Sequence, residues 1–218
     1  MSAHNSDNID YSLYLVTDRG YIGERKLSNV IKESVEGGVT IVQLREKESL
    51  TREFIDRAHE IQTVLKKHNI PLIINDRIDV AMAVQADGVH LGQDDMPVEL
   101  ARNILGQDFL IGLSVENMED IREAENMDVD YLGLSPLFTT ASQPGLKNEW
   151  GLEGLQKARK SSSHKIVAIG NIDSGNAADV IRSGADGIAV VSAICASENP
   201  KKAASNLSLA IAKGKQNK

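Results

Sequence analysis

Cysteine occurs once in these 218 residues, at Cys195. A single thiol excludes an intramolecular disulfide and any cysteine-rich metal site. It sits on an apolar stretch past the last strand candidate and reads as a small buried residue rather than a thiolate. No apolar run approaches the roughly 18 residues of a membrane span, and the polar, acidic start (Met1 to Asp10) is unlike a signal peptide. The expectation is a cytoplasmic protein with no membrane partner. Positive charge is also short: 24 Lys and Arg face 31 Asp and Glu, a net charge of −7. That balance argues against a nucleic-acid partner. No second histidine stands at metal-ligand spacing from His90, which therefore reads as a packed strand residue. No nucleophile–base pair emerges, and no linker or low-complexity stretch divides the chain.

What is present is an ordinary globular balance, 41% apolar and 25% charged residues. The length suits one domain over residues 1–218, with 1–10 and 213–218 expected to be loosely ordered. Short Val-, Ile- and Leu-rich runs alternate with helical patterns. Strands are predicted at Ser12–Thr17, Val39–Arg45, Pro71–Asn75, Gly88–Gly92, Phe109–Ser114, Tyr131–Ser135, Lys165–Gly170 and Gly187–Ser192. Helical periods fill Leu27–Glu36, Thr51–His68, Pro97–Leu105, Asn117–Glu125, Leu152–Lys160 and Ser174–Ser183. Strand–helix alternation means parallel strands with crossover helices, and eight such units match a (βα)8 TIM barrel, with a doubly wound open sheet as the alternative. The phrases at 85–92, 127–135 and 184–192 resemble one another, each a turn carrying Asp before a buried strand, as a repeated unit would leave.

Polar residues gather at the C-terminal ends of these strands, the face on which barrels place active sites. In Gln43-Leu-Arg-Glu-Lys47, strand alternation would point Gln43, Arg45 and Lys47 the same way. Two cations at a barrel mouth suit a diphosphate; in the competing reading the barrel ends before Arg45 and the charges are solvated or paired with Glu46 and Glu48. Asp76 and Asp95 follow neighbouring strands and together suit Mg²⁺, which takes few carboxylates plus phosphate oxygens and water; helix capping explains them equally well. Gly170-Asn171 and Val191-Ser192 end strands seven and eight, where barrels commonly bind phosphate, and Asn tolerates a left-handed backbone.

With these motifs, and with Gly112-Leu-Ser114 and Gly133-Leu-Ser-Pro-Leu-Phe138, the chain resembles the thiamine-phosphate synthase family over nearly its whole length. The resemblance implies a transferase that joins a hydroxymethylpyrimidine diphosphate to a hydroxyethylthiazole phosphate and releases pyrophosphate. It implies a dissociative reaction, in which the bond to pyrophosphate breaks before the thiazole nitrogen attacks. By resemblance, Gln43, Arg45, Lys47 and Asn75 hold the pyrimidine diphosphate, and Asp76 and Asp95 bind Mg²⁺. Ser114 lies near the pyrimidine. Thr140 and Ser142 reach a phosphate, and Asn171, Val191 and Ser192 take the thiazole phosphate. The chain departs from the family pattern at Gln143, where a lysine is usual, and at Asn171, where a second glycine is usual; Lys147 is the candidate replacement cation. A thiazole tautomerase and a catalytically silent thiamine-phosphate binder are the alternatives, and assembly into a homo-oligomer is left open.

Overall fold

The computed structural model describes residues 9–139 and 149–216. Eight parallel strands close into a barrel in sequence order: β1 (Leu13–Val16), β2 (Ile41–Leu44), β3 (Leu72–Asn75), β4 (Gly88–Leu91), β5 (Leu110–Val115), β6 (Tyr131–Leu134), β7 (Lys165–Ile169) and β8 (Gly187–Val190). β8 returns to β1 through Tyr14 opposite Ala189, which excludes the open sheet.

Outside the barrel run α1 (Arg19–Ile22), α2 (Leu27–Glu36), α3 (Thr51–Leu65), α4 (Ile78–Val84), α5 (Val98–Leu105), α6 (Met118–Ala124), α7 (Gly151–Ser161), α8 (Ala177–Arg182), α9 (Ser192–Cys195) and α10 (Pro200–Gln216). The short α1 and α9 lack the length to show a helical period, so neither was legible in the sequence. α10 stays helical through residues 213–216, where fraying was expected; Gly214 is buried there, so close to Ala178 and Ile181 that a side chain would collide with both. The early residues and the end of the chain otherwise lie outside the described residues.

Strand alternation sorts the core into two parts. Leu13, Leu15, Val42, Leu44, Ile74 and Val89 point outward to the helices. Tyr14, Val16, Ile41, Ile73, Leu110, Tyr131 and Val167 fill the interior. Interior glycines make room for the rings: a Cβ on Gly112 would lie 2.1 Å from Cζ of Tyr131.

The repeated Asp-bearing turn has a common physical role. Asp87, Asp130 and Asp186, just ahead of β4, β6 and β8, accept hydrogen bonds from Leu72 N, Ile111 N and Ile166 N at 2.8, 2.8 and 2.9 Å. Thr40, ahead of β2, accepts from Leu13 N at 3.0 Å. Each thus satisfies an amide at the start of the preceding odd-numbered strand, where the ladder supplies no partner. The barrel is built from four strand pairs closed in the same way.

Candidate active site

The C-terminal ends of the strands enclose a cavity of about 430 Å³, within the usual range for small-molecule sites. Gln43, Arg45, Asn75, Ser114, Asn171, Val191 and Ser192 all line it, together with Tyr14, His90 and Tyr131.

β2 ends at Leu44, so Arg45 and Lys47 belong to the loop after the strand rather than to its inner face. Arg45 lines the cavity and pairs with Asp18 at 3.3 Å, while its amide is held by buried Thr17 Oγ1 at 3.1 Å. Lys47 is exposed and outside the lining, although its charge still acts on Asp76. Glu46 does not neutralise either cation. Its carboxylate turns away, is 3% exposed, and takes Arg57 and Ser49 instead. The loop is thereby anchored outside the barrel while Arg45 faces in.

Asp76 and Asp95 come together at the ends of β3 and β4, within hydrogen-bonding reach of each other. Asp76 has φ 62°, a left-handed backbone, and its amide donates to His90 O at 2.9 Å. Asp95 accepts from Gly92 N at 2.7 Å. Neither side chain caps a helix: α4 and α5 start at Arg77 and Pro97 without a side-chain cap. Burial, and then the bond and charge of Asp95, raise the Asp76 pKa to about 6 against the pull of Lys47 and Arg45. A carboxylate crowded by a second one and held toward its protonated form fits a hard divalent cation, which would relieve the repulsion. Among the described residues no cluster of three metal-ligating side chains exists, so a cation here would complete its shell with substrate oxygens and water.

Opposite, Gly170 and Asn171 follow the end of β7 at Ile169. Asn171 has φ 51°, the left-handed conformation expected of it, and its carbonyl accepts from Asn176 Nδ2 at 3.0 Å. Gly170 packs under Leu137, 2.9 Å from Leu137 N to its would-be Cβ. Ser192 and Ala193, the first residues of α9, line the same corner.

The cavity floor holds a chain of hydrogen bonds that the sequence did not reveal. Gln43 Nε2 donates to Tyr14 Oη at 3.0 Å, the Tyr14 and Tyr131 hydroxyls meet at 2.7 Å, and Tyr131 Oη lies 3.0 Å from His90 Nδ1. His90 Nε2 then lies 2.9 Å from Ser114 Oγ. Burial lowers the His90 pKa to about 4, so the ring is neutral near pH 7. His90 is therefore packed, as expected, but within the site's polar floor. The one available signal was the inward parity of Tyr14, His90 and Tyr131 on their strands. Cys195 is fully buried, its thiol pushed up to about 11 by burial, and it takes no part. Thr140, Ser142, Gln143 and Lys147 lie outside the described residues; the flanking Thr139 and Glu149 are joined by a 2.8 Å bond from Thr139 N to Glu149 Oε2.

Fold and mouth together define a (βα)8 barrel enzyme whose cavity takes in Arg45 and the corner at Asn171 and Ser192, with the Asp76–Asp95 pair outside its lining, after β3 and β4. The family model described as thiamine monophosphate synthase matches residues 13–194. Thiamine-phosphate synthase of Albidiferax ferrireducens is 51% identical over 195 residues, 89% of each chain. That of Vibrio parahaemolyticus is 49% identical over 197 residues, 90% of this chain and 96% of the relative. The solved thiamine phosphate pyrophosphorylase of Pyrococcus furiosus superposes with a TM-score of 0.86 at 37% identity, covering 94% of this chain and 98% of that one. The chain belongs to the thiamine monophosphate synthase family.

Proposed function

We propose that the protein joins a hydroxymethylpyrimidine diphosphate to a hydroxyethylthiazole phosphate, forming thiamine phosphate and releasing pyrophosphate. The observation that carries this reading is the meeting of Asp76 and Asp95 beside Arg45, a pairing that suits a diphosphate with its cation and that a simple phosphate binder does not need.

In this reading Asp76 and Asp95 hold Mg²⁺, which when bound supplies positive charge to the departing diphosphate. Arg45 contacts the diphosphate oxygens directly, and Lys47 adds charge from the rim. Asn75, on the inner end of β3, donates to the same group. Gln43 and Ser114 hold the pyrimidine over the floor. The amides of Asn171, Val191 and Ser192 take the thiazole phosphate, and Thr140 and Ser142 reach a phosphate from their loop. The two substrates enter from opposite sides of one cavity, and the thiazole nitrogen faces the pyrimidine methylene. Breaking the carbon–oxygen bond first needs no general base, only stabilised leaving-group charge and alignment. The Ser114–His90 contact in the lining, at 2.9 Å, involves an imidazole that burial makes a weak base, which fits that chemistry.

The test is incubation with both precursors and Mg²⁺, following thiamine phosphate and pyrophosphate together. Equal amounts of both products support the reading. Binding of the thiazole phosphate without product would replace it with a tautomerase or a silent binder.

A further inference from the structure

The bonds on the cavity floor have a direction, and that direction fixes what Ser114 offers to a ligand. Gln43 Nε2 has hydrogens only to give, so Tyr14 Oη accepts there. Among the described residues, the other partner of the buried Tyr14 hydroxyl is Tyr131, so Tyr14 donates to Tyr131. Tyr131 Oη, having accepted, gives its own proton to His90 Nδ1. A neutral imidazole that accepts at Nδ1 carries its proton on Nε2, and that proton points at Ser114 Oγ. The ring cannot swing out of this line. It packs on Tyr131 with centroids 5.5 Å apart and both ring nitrogens engaged, and glycine at 133 leaves the room its Cε1 occupies.

We propose that His90 is a positioning residue, held as the Nε2–H tautomer by the Tyr14–Tyr131 pair so that Ser114 turns its hydroxyl proton into the cavity. Ser114 thus offers its proton to a heteroaromatic ring that presents a lone pair, and keeps one lone pair of its own beside the bond from His90. The inference rests on the proposed pyrimidine reading for the ligand, although the tautomer itself does not.

Nitrogen-15 NMR of the imidazole in the ligand-free protein reads the tautomer directly. A proton on Nε2 is expected; a proton on Nδ1 would reverse the chain and overturn the proposal. Tyr131→Phe keeps the buried ring but removes the proton given to Nδ1, and it should populate both tautomers. It should also lower kcat/KM for the pyrimidine diphosphate roughly tenfold, the scale of one misdirected hydrogen bond, and leave KM for the thiazole phosphate unchanged. His90→Leu should do the same, and His90→Gln, with an amide nitrogen in place of Nε2–H, should recover part of the loss. Wild-type kinetics in both Tyr131→Phe and His90→Leu, or equal losses for both substrates, would overturn the positioning role. An Nε2–H signal in a protein that forms no product would instead remove the pyrimidine reading alone.

Discussion

Asp76 and Asp95 stand within hydrogen-bonding reach across the ends of β3 and β4, and burial with this contact lifts the Asp76 pKa to about 6. The backbone enforces the meeting: Asp76 is held left-handed, with its amide on His90 O of the neighbouring strand. A cation must displace the proton that the pair would otherwise share. At limiting Mg²⁺, activity should therefore fall as pH drops through about 6, and saturating Mg²⁺ should move the fall to lower pH. Rate measurements across pH at two Mg²⁺ concentrations check this.

The same shift has a consequence for stability, of opposite sign to that of an ordinary salt-bridged carboxylate. The folded state binds the Asp76 proton more tightly than the unfolded chain. The metal-free protein should therefore lose stability as pH rises from the ordinary carboxylate range through about 6. Asp76→Asn should flatten that slope and leave the metal-free protein at least as stable near neutral pH, while activity is lost. Urea unfolding at several pH values, in EDTA, gives the comparison.

Arg45 is the side chain that brings positive charge into the cavity. Its pair with Asp18 is partly exposed, so Arg45→Ala should change stability by less than about 1 kcal/mol. It should lower kcat by about 10²- to 10³-fold, the scale for removing a donor from developing charge. Thermal melting and steady-state kinetics on one preparation separate the two effects.

Asp130 closes a strand pair at the opposite end of the barrel. It takes Ile111 N and also Arg102, whose side chain is 8% exposed. Asp130→Ala leaves a buried guanidinium without its nearest carboxylate and should cost about 3 kcal/mol or more. Activity per folded molecule should be unchanged, as denaturant titration with active-site counting would show.

The barrel was legible because its strands are short, apolar and evenly spaced; all eight lie within the predicted runs, apart from Val115 at the end of β5. The repeated Asp was legible as a repeat but not as a cap, because its partner amide lies on another strand. Arg45 and Asp76 were legible as charges that follow buried strands, although capping explained Asp76 equally well until α4 proved to start without a side-chain cap. The shared inward direction of Arg45 and Lys47 was overdrawn because alternation was carried past Leu44; β2 stops before Arg45, as the competing reading had it, although Glu46 pairs with Arg57 instead. The Tyr14–Tyr131–His90 chain was not legible, since each residue alone resembles interior packing and only closure of the barrel brings β1, β4 and β6 together. Of the departures from the family pattern, Asn171 takes the left-handed backbone that suits a glycine, whereas Gln143 and its candidate replacement Lys147 fall outside the described residues.

The most direct test of the proposed Mg²⁺ site at Asp76 and Asp95, and of its role in transfer, is a Mg²⁺ titration of thiamine phosphate formation. Wild type should be compared with Asp76→Ala, with EDTA as the zero point. Product that requires Mg²⁺ in the wild type, and that is nearly absent in Asp76→Ala at any Mg²⁺ concentration, is the expected result. Product formation in EDTA, or an unchanged Mg²⁺ dependence in Asp76→Ala, would contradict it.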